Sequence, residues 1–345
     1  MKDVIRVGIA GCGGISNAHI PVLMALEGVE VRAVCDINPE RAEKAAQRTG
    51  AEVARDFGEL IAREDIDVVH VLTPHYLHAP LAIAALKAGK NVITEKPMAT
   101  TLEDARAMVR AARESTGRLG VIFQNRYNPA SVELKKLVAS PEAGRFIGAR
   151  AIVCWHREAP YYNMSGWRGF MATEGGGTLI NQSIHTLDLL TYVSGRRFTR
   201  VRGHVSTDVL DTAVEVETSC HAVAEYEGGG RAVMYVTNDY VSDAPIVLEM
   251  ACENKTWQIE GDKLYDVTGG KRELLLDGAP PAVSDKAYWG SGHAAELSDF
   301  YDCIRTGRKF MLEDGEAYAA LNLVKAIQES SKTGKWVALD DPKEI

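Results

Sequence analysis

Lys96 and His185 are the residues from which a reaction can be built. Lys96 lies in Asn91-Val92-Ile93-Thr94-Glu95-Lys96-Pro97, where a β-branched run that reads as a short buried strand ends in a charged pair and a proline. Ligands of an open parallel sheet bind outside the carboxyl ends of its strands, so Lys96 emerges where a ligand would lie. Burial there lowers the pKa of its ammonium. His185 opens an apolar helical stretch in Gly175-Gly176-Gly177-Thr178-Leu179-Ile180-Asn181-Gln182-Ser183-Ile184-His185-Thr186-Leu187-Asp188. An imidazole, with an unperturbed pKa of about 6.5, suits a base working near neutrality. Asn181 can orient a hydroxyl or the imidazole ring but cannot stabilise an imidazolium by charge. Taken alone, a surface lysine after a strand and a hydrogen-bonded core histidine would fit the same residues.

The elements before Lys96 say what the base and cation would serve. Val4-Ile5-Arg6-Val7-Gly8-Ile9-Ala10 is a near-continuous apolar run, followed by Gly11-Cys12-Gly13-Gly14-Ile15-Ser16 and a helical stretch through Leu26. Glycines there let the chain turn tightly and let a pyrophosphate approach the N–H groups at the helix start. Ser16 replaces the third glycine of the usual pattern and is still small enough for close packing. A second strand, Val29 to Cys35, ends at Asp36, whose carboxylate can accept from both ribose hydroxyls of an adenosine. A 2′-phosphate would be repelled by Asp36, and neither Ile37 nor Asn38 supplies a cation, so NAD is favoured over NADP, with Arg41 the one possible exception.

The alternation continues: a helix over Pro39 to Thr49, a weak strand at Glu52-Val53, a helix over Gly58 to Ala62, a strand over Val68 to Leu72, a helix over Ala79 to Lys87, a helix over Leu102 to Ser115 and a sixth strand, Leu119 to Phe123. That is a doubly wound Rossmann pattern. Thr73-Pro74-His75-Tyr76-Leu77-His78 follows the fourth strand. His75 and His78, without a third ligand nearby, read as cofactor contacts rather than a metal site. Gln124, Asn125 and Arg126 follow the sixth strand and read as cofactor or substrate contacts.

After Phe123 the pattern changes, which divides the chain into a nucleotide-binding domain, 1–123, and an α+β domain, 124–345. Strands become hairpin neighbours: Ile147 to Trp155, Thr199 to Ser206, Val214 to Tyr226, Arg231 to Val236, Ile246 to Cys252 and Thr256 to Ile259. Gly228-Gly229-Gly230, Asn254-Lys255 and Gly261-Asp262 make short antiparallel connections. The fold expected is therefore α/β, with a large, mainly antiparallel open sheet in the second domain. Val214 and Val216 against Glu215 and Glu217 predict one buried and one wetter face. Trp155-His156-Arg157, Tyr161 and Trp167-Arg168 cluster before the glycines. Aromatic faces stack on sugar rings and an Arg fork binds a carboxylate or phosphate, which would favour an anionic sugar; a core or interface cluster is the other reading.

Composition removes other classes. Thirty-nine basic against 47 acidic side chains leave a net charge of −8 and no basic block, which excludes nucleic acid as an expected partner. No apolar run reaches the ~18 residues of a membrane span. Met1-Lys2-Asp3 runs into a strand without a signal segment, and six scattered cysteines lack C-x-x-C spacing, so a cytoplasmic protein with reduced thiols is expected.

Gly11-x-Gly13-Gly14, Asp36, Thr73-Pro74 with His78, Glu95-Lys96-Pro97 and the stretch from Gly175 to Asp188 together resemble the glucose-fructose oxidoreductase, inositol dehydrogenase and rhizopine-catabolism (Gfo/Idh/MocA) family. Glu296-Leu297-Ser298-Asp299-Phe300 and Thr333-Gly334-Lys335 are similar to its closing helices, so the resemblance spans the chain. It implies an NAD-dependent oxidoreductase moving a hydride between nicotinamide and a secondary hydroxyl, or ketone, of a sugar, sugar acid, nucleotide sugar or cyclitol. It places Lys96 beside the nicotinamide, makes His185 the proton acceptor, passes Gly175 to Gly177 close to the nicotinamide and makes the Lys96-Pro97 bond cis. A homodimer or homotetramer through the C-terminal sheet is implied as well. Many members carry Asp where this chain has Asn181, which throws more of any proton transfer onto His185 and Lys96. The resemblance also admits a glycosidase that uses NAD transiently, or a catalytically idle nucleotide sensor.

Overall fold

A computed structural model describes residues 4–207, 214–278, 292–313 and 315–341; Met1-Lys2-Asp3 lies outside them. The apolar runs of the first half form six strands, β1 (Ile5–Ala10), β2 (Val29–Cys35), β3 (Glu52–Val53), β4 (Val68–Val71), β5 (Asn91–Thr94) and β6 (Leu119–Val121). They pair parallel in the order β3-β2-β1-β4-β5-β6. Strands buried on both faces need continuous apolar sequence, and every residue of β4 is buried. The strand order reverses between β1 and β4, and a crevice opens there at the carboxyl ends.

Helices α1 (Ser16–Ala25), α2 (Pro39–Thr49), α3 (Phe57–Ala62), α4 (His75–Lys87) and α5 (Leu102–Glu114) connect these strands. α4 starts four residues earlier than the sequence reading placed it. Pro74 occupies its N-cap position, and a proline just ahead of a helix supplies a suitable φ without a missing hydrogen bond. His75 and His78 consequently sit on the first turn of a helix rather than in a loop. The Lys96-Pro97 peptide bond is cis.

The second half carries α6 (Pro129–Val138), β7 (Phe146–Cys154), α7 (Ala159–Asn163), α8 (Ile184–Ser194), then β8 (Phe198–Ser206), β9 (Ser219–Tyr226), β10 (Arg231–Thr237), β11 (Val247–Cys252), β12 (Thr256–Glu260), β13 (Lys263–Asp266) and β14 (Glu273–Asp277). α9 (Gly292–Thr306), α10 (Tyr318–Thr333) and β15 (Val337–Ala338) complete it. Among the described residues its strands run β14-β13-β12-β11-β7-β10-β9-β8-β15. All neighbours are antiparallel except β7 and β10.

The strand expected over Val214 to Tyr226 begins only at Ser219. The alternation there misleads because Glu217 is buried, accepting from the backbone N–H of Gly177 at 2.9 Å and of Leu179 at 3.3 Å. An irregular segment that offers a carboxylate to a tight turn has the same two-residue rhythm as a half-wet strand.

Candidate active site

The crevice and the second sheet's inner helices enclose one cleft of about 1200 Å³, lined from Gly11 at one end to Arg157 and Gln182 at the other. At the β1 end Gly11 has φ +95°, and a Cβ there would meet the Leu72 carbonyl oxygen at 2.6 Å. Only glycine tolerates both. Gly13 and Gly14 would meet nothing within 4 Å, so their backbone faces open cleft just ahead of α1. The Ser16 hydroxyl closes this turn by donating to the Gly13 carbonyl at 2.6 Å. Asp36 accepts from the Cys12 N–H at 2.7 Å through one oxygen and from the Asn38 N–H at 2.8 Å through the other. A carboxylate oxygen has two acceptor sites, so each retains one for a ribose hydroxyl. The glycine cradle, the free lone pairs of Asp36 and the Thr73 hydroxyl, which is buried without a partner among the described residues, fit a dinucleotide. Cys12, Ile15, Ile37, Thr73, Pro74, His75, His78, Glu95, Lys96 and Gln124 line the same cleft.

The two histidines of α4 serve the frame. His75 Nδ1 bonds the Glu174 carbonyl at 2.9 Å, and the two nitrogens of His78 contact the Pro97 and Thr73 carbonyls, each at 2.7 Å. They tie α4 to the turn after Lys96 and to the segment before the glycines.

At the other end the Lys96 ammonium donates to the Asn181 carbonyl oxygen at 2.8 Å and to its side-chain Oδ1 at 3.1 Å. An ammonium has three donors, and these bonds leave one for a ligand. Burial, helped by the nearby Arg168 guanidinium, lowers the Lys96 pKa to about 8. His185 also lines the cleft, and its Nδ1 has no partner among the described residues. Burial and then the Lys96 charge hold its pKa well below 6.5, so the imidazole is neutral.

Sequence reasoning missed the group behind Asn181. The Asn181 amide donates to Glu174 Oε1 at 2.6 Å, and the other oxygen of Glu174 accepts from the Gly169 N–H at 2.6 Å. Glu174 is fully buried, and burial lifts its pKa to about 7 against those donors. No spacing rule singles out a glutamate ahead of a glycine run.

Also missed was a buried chain of hydrogen bonds behind Glu95. The Tyr301 hydroxyl meets His70 Nε2 at 2.8 Å, His70 Nδ1 meets His19 Nδ1 at 3.0 Å, and His19 Nε2 meets Glu95 Oε1 at 3.0 Å. With Glu95 ionised, one assignment satisfies every contact: Tyr301 donates to His70, His70 to His19 and His19 to the carboxylate. His293 of α9 approaches the same oxygen at 3.6 Å. The ligating atoms of His19, Glu95 and His293 lie within 4.8 Å of one another, a metal-like spacing that this chain of donors already explains. Burial opposes ionisation, but His19 and His293 outweigh it and hold Glu95 well below the usual carboxylate range. These partners come from α1, β4 and α9, so only the fold brings them together.

The aromatic and guanidinium cluster does face the cleft. The Arg168 guanidinium lies 4.6 Å from the Tyr161 ring centroid and 4.7 Å from that of Trp167, and its Nε is buried without a partner among the described residues. Arg157 stacks at 5.3 Å from Trp155 and 5.5 Å from Tyr161, and pairs with Asp243 at 2.8 Å. The Tyr161 hydroxyl accepts from Gln182 at 2.8 Å and from Asn181 at 3.3 Å, which joins the aromatic platform to the residues around Lys96.

Two expectations are corrected. Arg126 turns away from the cleft into a buried bidentate pair with Asp188, at 2.7 and 2.6 Å, and neither it nor Asn125 lines the cleft. Asp188, three residues beyond His185 on α8, is the partner in that pair. Gly175, Gly176 and Gly177 do not line the cleft either. A Cβ on them would meet Thr100 at 2.8 Å, Gln328 at 2.4 Å and the Glu217 carbonyl oxygen at 1.9 Å. Their glycines are required by the protein's own close packing.

Residues 5–123 match the model of an oxidoreductase family with an NAD-binding Rossmann fold, named Gfo/Idh/MocA, and residues 131–263 match that family's C-terminal domain. The chain is 34% identical to levoglucosan dehydrogenase of Pseudarthrobacter phenanthrenivorans, across 96% of this chain and 97% of that one. It is 24% identical to an NAD-dependent scyllo-inositol 2-dehydrogenase of Bacillus subtilis, across 99% and 98%. Among solved structures, the WlbA dehydrogenase of Bordetella pertussis, in complex with NADH and UDP-GlcNAcA, superposes with a TM-score of 0.86 at 29% identity, covering 98% of this chain and 99% of that one.

Proposed function

The chain belongs to the Gfo/Idh/MocA family of NAD-binding oxidoreductases, and from that premise we propose that it oxidises a secondary hydroxyl of a sugar bearing an acidic group, or reduces the matching ketone. The observation that carries the reading is the convergence of Lys96, His185 and Asn181 with the Gly11 turn and Asp36 on one cleft.

In this reading residues 1–123 bind NAD, with Gly11 to Ile15 cradling the pyrophosphate and Asp36 the adenosine ribose, while residues 124–345 present the substrate. Bound NAD supplies the hydride acceptor. Lys96 and His185 act on the hydroxyl proton as a coupled pair. While Lys96 is charged, its field disfavours a second proton on His185. Once Lys96 is neutral, above about 8, the alcohol proton can pass to either group, so oxidation is favoured on the alkaline side. In reduction the protonated pair returns that proton, and the Lys96 ammonium stabilises the developing alkoxide. Asn181 fixes Lys96 through two bonds and leaves its third donor to the substrate. Trp167 and Tyr161 offer faces to the sugar ring, and the Arg168 Nε, without a partner among the described residues, favours a carboxylate or phosphate substituent.

The outer face of the C-terminal sheet supports a homo-oligomer, a dimer or tetramer, as part of the same proposal: Ile147, Val233 and Tyr235 are exposed there. Six free thiols, with no disulfide among the described residues, support a cytoplasmic location. No helix among the described residues is long and apolar enough to cross a membrane.

The test is nicotinamide absorbance over time with NAD or NADP and a panel of neutral sugars, cyclitols, sugar acids and nucleotide sugars. Turnover with NAD and an acidic sugar is expected. Turnover confined to neutral sugars would overturn the acidic-group assignment, and tight NAD binding without turnover of any member would favour the sensor reading.

A further inference from the structure

We infer that Glu174 is a positioning residue for Lys96, supplying from behind Asn181 the negative charge that an aspartate at position 181 would supply directly. The inference rests on Lys96 being the proton-carrying group of the proposed reaction.

An asparagine amide has two orientations, and nothing in its own shape selects one. Here the choice is made by Glu174. An ionised Glu174 can only accept, and its Oε1 does so at 2.6 Å, so the Asn181 Nδ2 turns toward it and Oδ1 turns toward Lys96 at 3.1 Å. Reversing the amide would set two oxygens against each other at Glu174 and a donor against the ammonium at Lys96. Glu174 is itself fixed by the Gly169 N–H at 2.6 Å and is fully buried, so it acts from behind Asn181 rather than from the cleft. It does not line the cleft.

The charged and titratable groups around Glu174 come from every side: Arg168, Tyr161 and Tyr162 from its own segment, Lys96 after β5, Glu217 ahead of β9, and His75 of α4 on its carbonyl. Of these, Arg168 favours its ionised form and Glu217 opposes it, after the dominant effect of burial. Burial has the largest effect on Lys96 and lowers its pKa; Glu95 opposes it, and ionised Glu174 adds a smaller rise in the same direction.

The experiment is a direct titration of Lys96 in the folded protein by NMR of lysine labelled at the ε-carbon, with Lys96→Arg identifying the signal. Glu174→Gln should lower the Lys96 midpoint and cut the rate about tenfold, since one of its two hydrogen bonds is lost whichever way the new amide turns. Asn181→Asp should raise the midpoint, because a carboxylate then faces Lys96 directly, in addition to Glu95 and Glu174. The double variant, Glu174→Gln with Asn181→Asp, restores the wild-type number of carboxylates around Lys96, Glu95 included, and should return the midpoint toward the wild-type value, with recovered turnover. It also answers the question if Glu174→Gln alone does not fold. An unmoved midpoint in Glu174→Gln, or a double variant that does not return toward the wild-type value, would overturn the assignment. Because the titration needs no substrate, a failure of the proposed reaction would show separately, as a silent substrate panel with the midpoints moving as described.

Discussion

Glu95 and Glu174 are both buried carboxyl groups near Lys96, yet their pKa values are shifted in opposite directions. Glu95 sits among His19 and His293, whose ring nitrogens outweigh burial and hold it well below 4.5. Glu174 receives one backbone N–H and one amide, and burial wins, lifting it to about 7. The difference teaches that depth alone does not set charge; the donors supplied decide it. One carboxylate is a fixed anion behind the reaction, and the other can change its charge within the working range.

Removing the group near which both lie has the largest effect. Lys96→Ala should lower the turnover rate by about 10²- to 10⁴-fold while leaving NAD binding, followed by protein fluorescence, nearly intact. A small loss would mean that His185 needs no partner.

Glu95→Gln breaks the fixed side of the comparison. It removes the acceptor that orders the His19–His70–Tyr301 chain, and an expected loss of about 1.5–3 kcal/mol should appear as a lower urea midpoint. An unchanged midpoint would show that the chain does not depend on the anion.

Stability against pH should separate the two carboxyls by sign. Glu174 has its pKa raised, so its contribution is complete below 4.5 and is lost as pH rises through about 7. Glu95 has its pKa lowered, so its contribution is present above 4.5 and is lost as pH falls through its lower folded value. Urea unfolding across pH should therefore show Glu174→Gln losing the decline between 4.5 and about 7, and Glu95→Gln losing the decline below 4.5.

The smallest effect expected is at the rim. Arg168→Met should raise KM for an acidic sugar about tenfold, the loss of one charge-assisted hydrogen bond, and change KM for a neutral sugar less. Equal effects on both would mean that Arg168 only stiffens the aromatic platform.

The nucleotide end was legible because its chemistry is local: one turn needs glycine, one strand ends in Asp36, and both motifs keep fixed spacing in the chain. Lys96 was legible for the same reason, at the end of a short buried strand. The charge around it was not. Glu174 reaches Lys96 through a side chain seven residues away, and His19, His70 and His293 come from three separate elements, so no window of sequence contains their arrangement. Gly175 to Gly177 gave a true signal with the wrong cause: glycine was required there, but by Thr100, Gln328 and Glu217 rather than by a cofactor. Arg126 was misplaced because a cation after a Rossmann strand has the same appearance whether it meets a ligand or, as here, Asp188.

The central claim is that Lys96, lowered to about 8, governs proton release from the substrate hydroxyl. The most direct test is the pH dependence of kcat/KM for NADH formation with the substrate found in the panel. The rate should rise through a single midpoint near about 8, and the reverse reaction should fall through the same midpoint. A midpoint near 6.5, the value of an unperturbed imidazole, or a flat profile through about 8, would contradict the account.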